Sequence, residues 1–312
     1  MKSAIVTGAS GRLGSALVTR LAEEGISTLG IGRLPPGSDT LVEAKRHSEC
    51  VTHVRVASAA FGDSDFLAAN VPWKPAGECV LFHLAWGAGG QLATPDVPLQ
   101  VASAAAISDA VNMAAAFNCS RLVNAGSQQE RFVQDYLVDR WPEVAYPTSQ
   151  GIYGAAKLIA RDVGSILCYI KQIDYVNVRF STYVTPTLDG AGYVASVLRA
   201  IRDRRGYEPL RSRQWTEILP IGEVARAFAM IGAQGKNKAD YYIGTNRPRT
   251  LMELFRYFEL VLDGSMTPES AWMLALPSVA DRSHFDPEPL RREVGFELRE
   301  TFETFAAEVA RR

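Results

Sequence analysis

Ala4-Ile5-Val6-Thr7-Gly8-Ala9-Ser10-Gly11-Arg12-Leu13-Gly14 carries the chain from an apolar, β-branched run into three glycines spaced G-x-x-G-x-x-G. Leu13, Ala16, Leu17 and Leu21 then recur at the spacing of one helix face, and Gly25 stands just past them as a stop signal. The spacing predicts a strand, a tight turn, a helix and a second strand at Ser27–Ile31. Each glycine has a physical role in such a turn. Without a Cβ, Gly8 makes the bend, Gly11 lets the backbone come close to a bound anion, and Gly14 lets helix and strand pack closely. The helix N-terminus points its amides and the positive end of its dipole at that anion. The same triplet in an arbitrary loop would be a plain turn. Its place after the first strand and before an amphipathic helix predicts the pyrophosphate of a dinucleotide, with Ser10, Arg12 and Leu13 also lining the cradle.

Working outward, short apolar runs at Val80–Leu84, Arg121–Asn124 and Tyr175–Arg179 alternate with helical stretches, and strands this apolar suit a sheet covered on both faces. The expected class is α/β, a Rossmann-type doubly wound parallel sheet with a smaller C-terminal substrate-binding lobe, ligands lying at the C-terminal strand ends. After residue 180 the pattern loosens at Pro186, Gly190, Gly192, Gly206 and Pro209. Residues 1–180 are therefore assigned to the dinucleotide-binding domain and 181–312 mainly to the lobe. Apolar alternation resumes at Thr216–Leu219 and Asp240–Gly244, so the sheet domain is expected to take back about 216–262.

The 312 residues are 47% hydrophobic and 21% charged with net charge −1, which lacks the basic excess of nucleic-acid binders. Cys50, Cys79, Cys119 and Cys168 show no C-x-x-C spacing, and no His/Asp/Glu cluster suggests a metal. The chain runs from Met1 directly into the first strand and has no apolar run of membrane-spanning length; a cytoplasmic, membrane-free protein is expected. At the end of the second strand, where an acid would take the ribose hydroxyls of NAD, stands Arg33. Arg33 and Arg12 together suit a 2′-phosphate, so NADP(H) is the expected cofactor; two solvated surface arginines are the alternative.

Tyr153 and Lys157 stand four residues apart, on one face if the segment is helical, and Ser127 follows the apolar strand at its C-terminal end. Tyr153 would exchange a proton with a hydroxyl or carbonyl oxygen, Lys157 would favour its phenolate, and Ser127 would hydrogen-bond the same oxygen. A nicotinamide would then give or take hydride. His83, in an apolar strand, reads as a core histidine; His284 is left open.

With these residues the chain resembles the extended short-chain dehydrogenase/reductase family, particularly its nucleotide-sugar epimerases, dehydratases and reductases. The resemblance extends to Phe82-His83-Leu84-Ala85, which is similar to the family's fourth strand and implies that Leu84, Ala85 and Trp86 border the cofactor. It extends also to Arg213-Gln214-Trp215 with Ile221–Ala225, to Tyr242–Gly244 and to Leu290–Phe296. By the same resemblance Gln128, Thr182 and Arg213 are expected at the substrate, and the helices near 102–117 and around Tyr153 resemble the pair that builds a homodimer. Departures are plain: no acid follows the third strand around 57–60, no asparagine stands within 102–106, and Thr182 and Thr185-Pro186 replace asparagine and Gly-Pro. Family dehydratases carry Asp-Glu after the Ser127 position where this chain has Gln128-Gln129, and an amide offers no titrating proton. The segment Gly126–Glu130 is more similar to that of reductases acting on 4-keto-6-deoxy sugar nucleotides. The expected activity is therefore NADPH-dependent reduction of the 4-keto group of a nucleoside-diphosphate 4-keto-6-deoxysugar. The alternative is an NAD-dependent nucleotide-sugar 4-epimerase, and a less favoured one a non-enzymatic NADP-binding sensor.

Overall fold

The computed structural model describes residues 1–34, 42–46, 48–57, 61–87, 96–138, 150–190, 192–208, 215–265 and 282–311. The first part runs β1 (Ser3–Thr7), α1 (Arg12–Glu23), β2 (Ser27–Arg33), β3 (Val42–Arg46), β4 (Val51–Val56), α2 (Ser64–Asn70), β5 (Cys79–His83), α3 (Val97–Ala116), β6 (Arg121–Ala125), α4 (Gln129–Leu137), α5 (Gly151–Lys171) and β7 (Asp174–Arg179). The second runs β8 (Thr182–Val184), α6 (Tyr193–Arg202), β9 (Trp215–Thr216), β10 (Ile218–Pro220), α7 (Ile221–Gln234), β11 (Asp240–Tyr242), β12 (Arg249–Thr250), α8 (Leu251–Leu262), a 3-10 turn at Arg282–Phe285, α9 (Glu288–Val294) and α10 (Phe302–Arg311).

The main sheet has the order β11-β7-β6-β5-β1-β2-β4-β3. Its strands are parallel except β3, which pairs antiparallel with β4 at the edge. This is the doubly wound Rossmann-type sheet that the alternation predicts. β1 and β5 are buried along their whole length, as strands covered on both faces must be. Leu17 and Leu21 of α1, Phe228 and Ile231 of α7, and Leu290 and Val294 of α9 cover one face. Ile107 and Val111 of α3, Ala156 and Ala160 of α5, and Leu67 of α2 cover the other. Leu17 and Leu21 are fully buried, and each such side chain stabilises the fold by roughly 1.5–3 kcal/mol. The strand order reverses between β1 and β5, where Thr7 pairs with His83, and this places the ligand crevice at the end of the opening glycine turn. β3 carries Val-Glu-Ala-Lys-Arg, which lacks the apolar run of an inner strand and went unanticipated.

The lobe has its own core, in which α6, α8 and α10 pack with β8 and β10. The rings of Phe258, Phe302 and Phe305 stack with centroids 6.0–6.3 Å apart. The span 216–262, expected to return to the sheet, is divided. α7 and β11 join the main sheet and its layers, whereas α8 belongs to the lobe. Nor is Thr216–Leu219 a single strand. It breaks at Glu217, whose buried carboxylate accepts from Tyr242 Oη at 2.7 Å and from the backbone N–H groups of Thr245 at 3.0 Å and Arg247 at 2.9 Å. β9 then pairs antiparallel with β12, and β10 parallel with β8.

A Cβ at Gly14 would fall on the Gly8 carbonyl oxygen and 2.8 Å from Ala9 Cα, both of them backbone atoms that cannot rotate aside. Alanine's helix propensity favours it by about 1 kcal/mol, while such overpacking costs about 1–3 kcal/mol. Gly14→Ala is therefore expected to lower the urea midpoint of unfolding. Gly222→Ala, in the first turn of α7 with open space around the added methyl, is expected to leave the midpoint unchanged or raise it.

Candidate active site

β6 ends at Ala125, and the chain turns through Gly126 and Ser127 into α4. α5 presents Tyr153 and Lys157 one turn apart toward that strand end, both buried. Lys157 Nζ donates to the Ala125 carbonyl at 2.8 Å and lies 3.7 Å above the Trp86 ring. Tyr153 meets Trp86 edge-on with ring centroids 5.7 Å apart, and its phenol lies near the Ser127 hydroxyl. Ser127 is held in turn: its N–H donates to Glu130 Oε1 at 2.7 Å, and its Oγ accepts from Gln129 N at 3.2 Å. The three predicted residues thus converge on one point beside the sheet. Burial pushes the Tyr153 phenol well above its ordinary value, only partly opposed by the Ser127 hydroxyl, and the charges of Glu130 and Tyr183 push it further. Burial pushes the Lys157 ammonium down, with Glu130 opposing. Lys157 was expected to draw the phenol below its ordinary value; burial instead raises it.

The glycine turn fits a dinucleotide. Gly8 has φ +73°, and a Cβ there would lie 2.9 Å from Ala85 N, so the turn is pressed against the chain leaving β5 at Leu84, Ala85 and Trp86. Gly11 is the N-cap of α1, whose first turn carries no acidic residue and receives no side-chain cap from it. Ser10 packs over Gly32, and Arg33 is exposed at the end of β2. Arg12 departs from its expected role in a two-arginine clamp: Nη2 donates to the Asp189 carbonyl at 3.0 Å, and Nε lies 4.0 Å from Asp189 Oδ1. From the same lobe the Tyr183 phenol lies near Arg12 and the Leu13 backbone, which puts a lobe residue beside the helix N-terminus.

Of the expected substrate residues, Thr182 is half-buried at the start of β8 and Arg213 lies outside the described residues. Gln128, expected at the substrate, makes contacts within the fold. It is buried, its Nε2 donates to the His284 carbonyl at 2.9 Å, and its Oε1 accepts from Arg179 Nη1 at 3.1 Å, so both ends of the amide are engaged. Arg199 donates to the Leu188 and Gly190 carbonyls, and Arg202 and Arg205 pair with Asp203. His284 pairs with Asp135 at 2.8 Å and packs on Phe132. His83 is a core histidine as expected, its Nδ1 3.0 Å from Thr7 Oγ1. Sequence reading missed Glu130 and Tyr183 as parts of the site. The S-x-x-E spacing of Ser127 and Glu130 is a recognisable capping signal; nothing local marks Tyr183.

The model of the NAD dependent epimerase/dehydratase family matches residues 4–244. No curated protein matches the chain. Among solved structures, UDP-glucose 4-epimerase from Thermotoga maritima, crystallised with UDP-glucose, is 15% identical with a TM-score of 0.71 over 99% of this chain and 97% of its own. UDP-N-acetylglucosamine 4-epimerase from Bacillus cereus is 17% identical, with a TM-score of 0.70 over 99% and 96%. UDP-glucose 4-epimerase from Thermus thermophilus, in complex with NAD, is 16% identical, with a TM-score of 0.71 over 99% and 98%.

His83 supplies a pH test. Burial, with the nearby Lys157 charge, pushes its imidazole down to about 3. The unfolded chain protonates this histidine below about pH 6.5 while the folded protein does not. Its contribution to stability is therefore complete above pH 6.5 and is lost on acidification toward pH 3, by up to about 1.4 kcal/mol per pH unit. Urea midpoints measured between pH 7 and 4 are expected to fall less steeply for His83→Gln than for the unaltered protein.

Proposed function

The chain belongs to the NAD dependent epimerase/dehydratase family, and from that premise we propose that it is a nucleotide-sugar 4-epimerase acting on a nucleoside-diphosphate hexose. The observation that carries this reading is the convergence of Ser127, Tyr153 and Lys157 at the end of β6, beside a glycine turn shaped for a dinucleotide. The bound nicotinamide coenzyme would supply oxidation and re-reduction at one sugar carbon. Gly8, Ser10, Gly11, Leu13 and Gly14 would hold it at the turn, and Leu84, Ala85 and Trp86 would border it. As the phenolate, a form that the positive charge of Lys157 favours, Tyr153 takes the proton of the sugar hydroxyl and returns it; Ser127 hydrogen-bonds the same oxygen. Elimination of water is not part of the reading, because Gln128 and Gln129 follow Ser127 and neither titrates.

Two considerations favour the epimerase over the reductase expected from sequence. The three solved structures named above are 4-epimerases, one of them bound to NAD. Arg12 is engaged by Asp189, which removes half of the case for a 2′-phosphate. One observation favours NADPH-dependent 4-keto reduction as a second reading: Arg33 stands exposed at the end of β2, where an acid would serve NAD. Coenzyme consumption separates the two. An epimerase interconverts UDP-glucose and UDP-galactose, or their N-acetyl analogues, with no net use of coenzyme. The reductase oxidises NADPH in step with a 4-keto-6-deoxy sugar nucleotide. In whichever assay turns over, Tyr153→Phe is expected to lower kcat by on the order of 10²-fold while coenzyme still binds. Full activity of that variant would remove the tyrosine from the proton path.

We also propose a homodimer. Ile159, Val163, Ile166 and Ile170 form one exposed apolar face on α5, and Val97 and Val101 are exposed on α3 packed beside it. A second copy laying the same pair of helices across this face would bury the stripe. Light scattering is expected to give twice the chain mass, falling to the single-chain mass for Ile166→Glu.

A further inference from the structure

Lys157 and Glu130 are both buried charges whose opposite partners are not in direct contact. Among the described residues no carboxylate lies within ion-pair distance of Lys157 Nζ, which is held by the Ala125 carbonyl and the Trp86 face. Glu130 is fully buried in the first turn of α4 and likewise has no ion pair among the described residues. Its Oε1 accepts from Ser127 N at 2.7 Å and its Oε2 from Asn177 Nδ2 at 2.9 Å; Asn177 Oδ1 in turn accepts from Asn124 Nδ2 at 2.9 Å. An isolated charge of either kind is costly to bury, and each lowers that cost for the other.

We propose that Glu130 is a positioning residue of the Ser127–Tyr153–Lys157 site, fixing Ser127 through its backbone and supplying the counter-charge that keeps Lys157 an ammonium. The proposal rests on the acid–base assignment made above for these three residues. The groups facing Glu130 are Asp240 of β11, Arg179 and Tyr175 of β7, and Lys157, Tyr153 and Arg161 of α5. Burial, reinforced by Asp240, raises the Glu130 carboxyl toward neutrality. Burial lowers Lys157 toward the same range, and ionised Glu130 opposes that fall. The charge of each group therefore depends on that of the other. Removing the carboxylate charge lets Lys157 lose its proton at lower pH, and the phenol above it loses its support.

A purely structural cap would need only an acceptor at Ser127 N, which glutamine provides; the charge is what separates the two roles. The readout is the Trp86 fluorescence, taken as the difference between each protein and its Trp86→Phe counterpart, since the ammonium lies directly over that ring. Followed against pH without substrate, it reports the titration of Lys157. Glu130→Gln is expected to lower that midpoint by on the order of one pH unit, because it removes the opposite charge that favours the ammonium. Glu130→Asp, which keeps the charge, should hold it near the original value. Asp240→Asn, which removes the like charge opposing ionisation of Glu130, should raise it, and this variant decides the matter if Glu130→Gln does not fold. In the turnover assay the pH limb set by Lys157 should move with the fluorescence midpoint, so that Glu130→Gln regains rate at lower pH. Midpoints unchanged in Glu130→Gln, or in Asp240→Asn where that variant decides, would overturn the proposal whatever the assay gives. Midpoints that move while no nucleotide sugar is turned over would leave the coupling standing and sink the functional reading instead.

Discussion

The hydrogen bond from the buried Lys157 ammonium to the Ala125 carbonyl, 2.8 Å long, fixes more of the site than any other contact. An ammonium out of water must find an oxygen, and the last carbonyl of β6 offers one only if α5 lies across the C-terminal end of the sheet. Once Lys157 is held there, Tyr153 follows one helical turn earlier, and Ser127 is two residues past the carbonyl. The Trp86 ring closes the far side, steadied by its Nε1 donating to Gln100 at 2.9 Å. A single polar contact at a strand end thereby brings together groups from β6, α5 and the chain after β5.

Beneath this point buried polar groups join the sheet and the lobe beside the apolar cluster of Phe132, Trp215, Tyr242 and Phe285. Arg179, at the end of β7, pairs with Asp240 at 2.8 Å and also reaches Gln128 and the His284 carbonyl. Glu217 gathers donors from Tyr242, Thr245 and Arg247 where β9 gives way to β10. Such groups are expensive to bury singly, and each here has partners across an element boundary, which favours one arrangement of the two bodies over sliding alternatives. On the opposite side Arg12 links the glycine turn to the lobe at Asp189. The turn that would take a pyrophosphate is therefore also a lobe contact.

Much of this was legible in the residues. The glycine spacing, the apolar inner strands and the helix-face periodicity of Leu13 to Leu21 give the doubly wound sheet directly, because each reflects a local constraint on backbone or burial. Ser127, Tyr153 and Lys157 were legible too, the latter pair by helical spacing and the serine by its place after an apolar strand. β3 escaped because its Val-Glu-Ala-Lys-Arg composition has no inner-strand signature. Thr216–Leu219 read as one strand because alternation continues through Glu217, and only the donors from Tyr242, Thr245 and Arg247 show why the chain breaks there.

By itself, then, the sequence determined the class of fold, the glycine turn that opens it and the candidate trio Ser127, Tyr153 and Lys157, since all three depend on neighbours within a few positions along the chain. Tertiary structure alone decided the electrostatics and the lobe. The contacts of Arg12 with Asp189 and of Gln128 with His284, and the burial that raises the Tyr153 phenol, all involve groups more than twenty residues away. Desolvation and long-range hydrogen bonds depend on what surrounds a side chain in space, and local spacing carries no record of that.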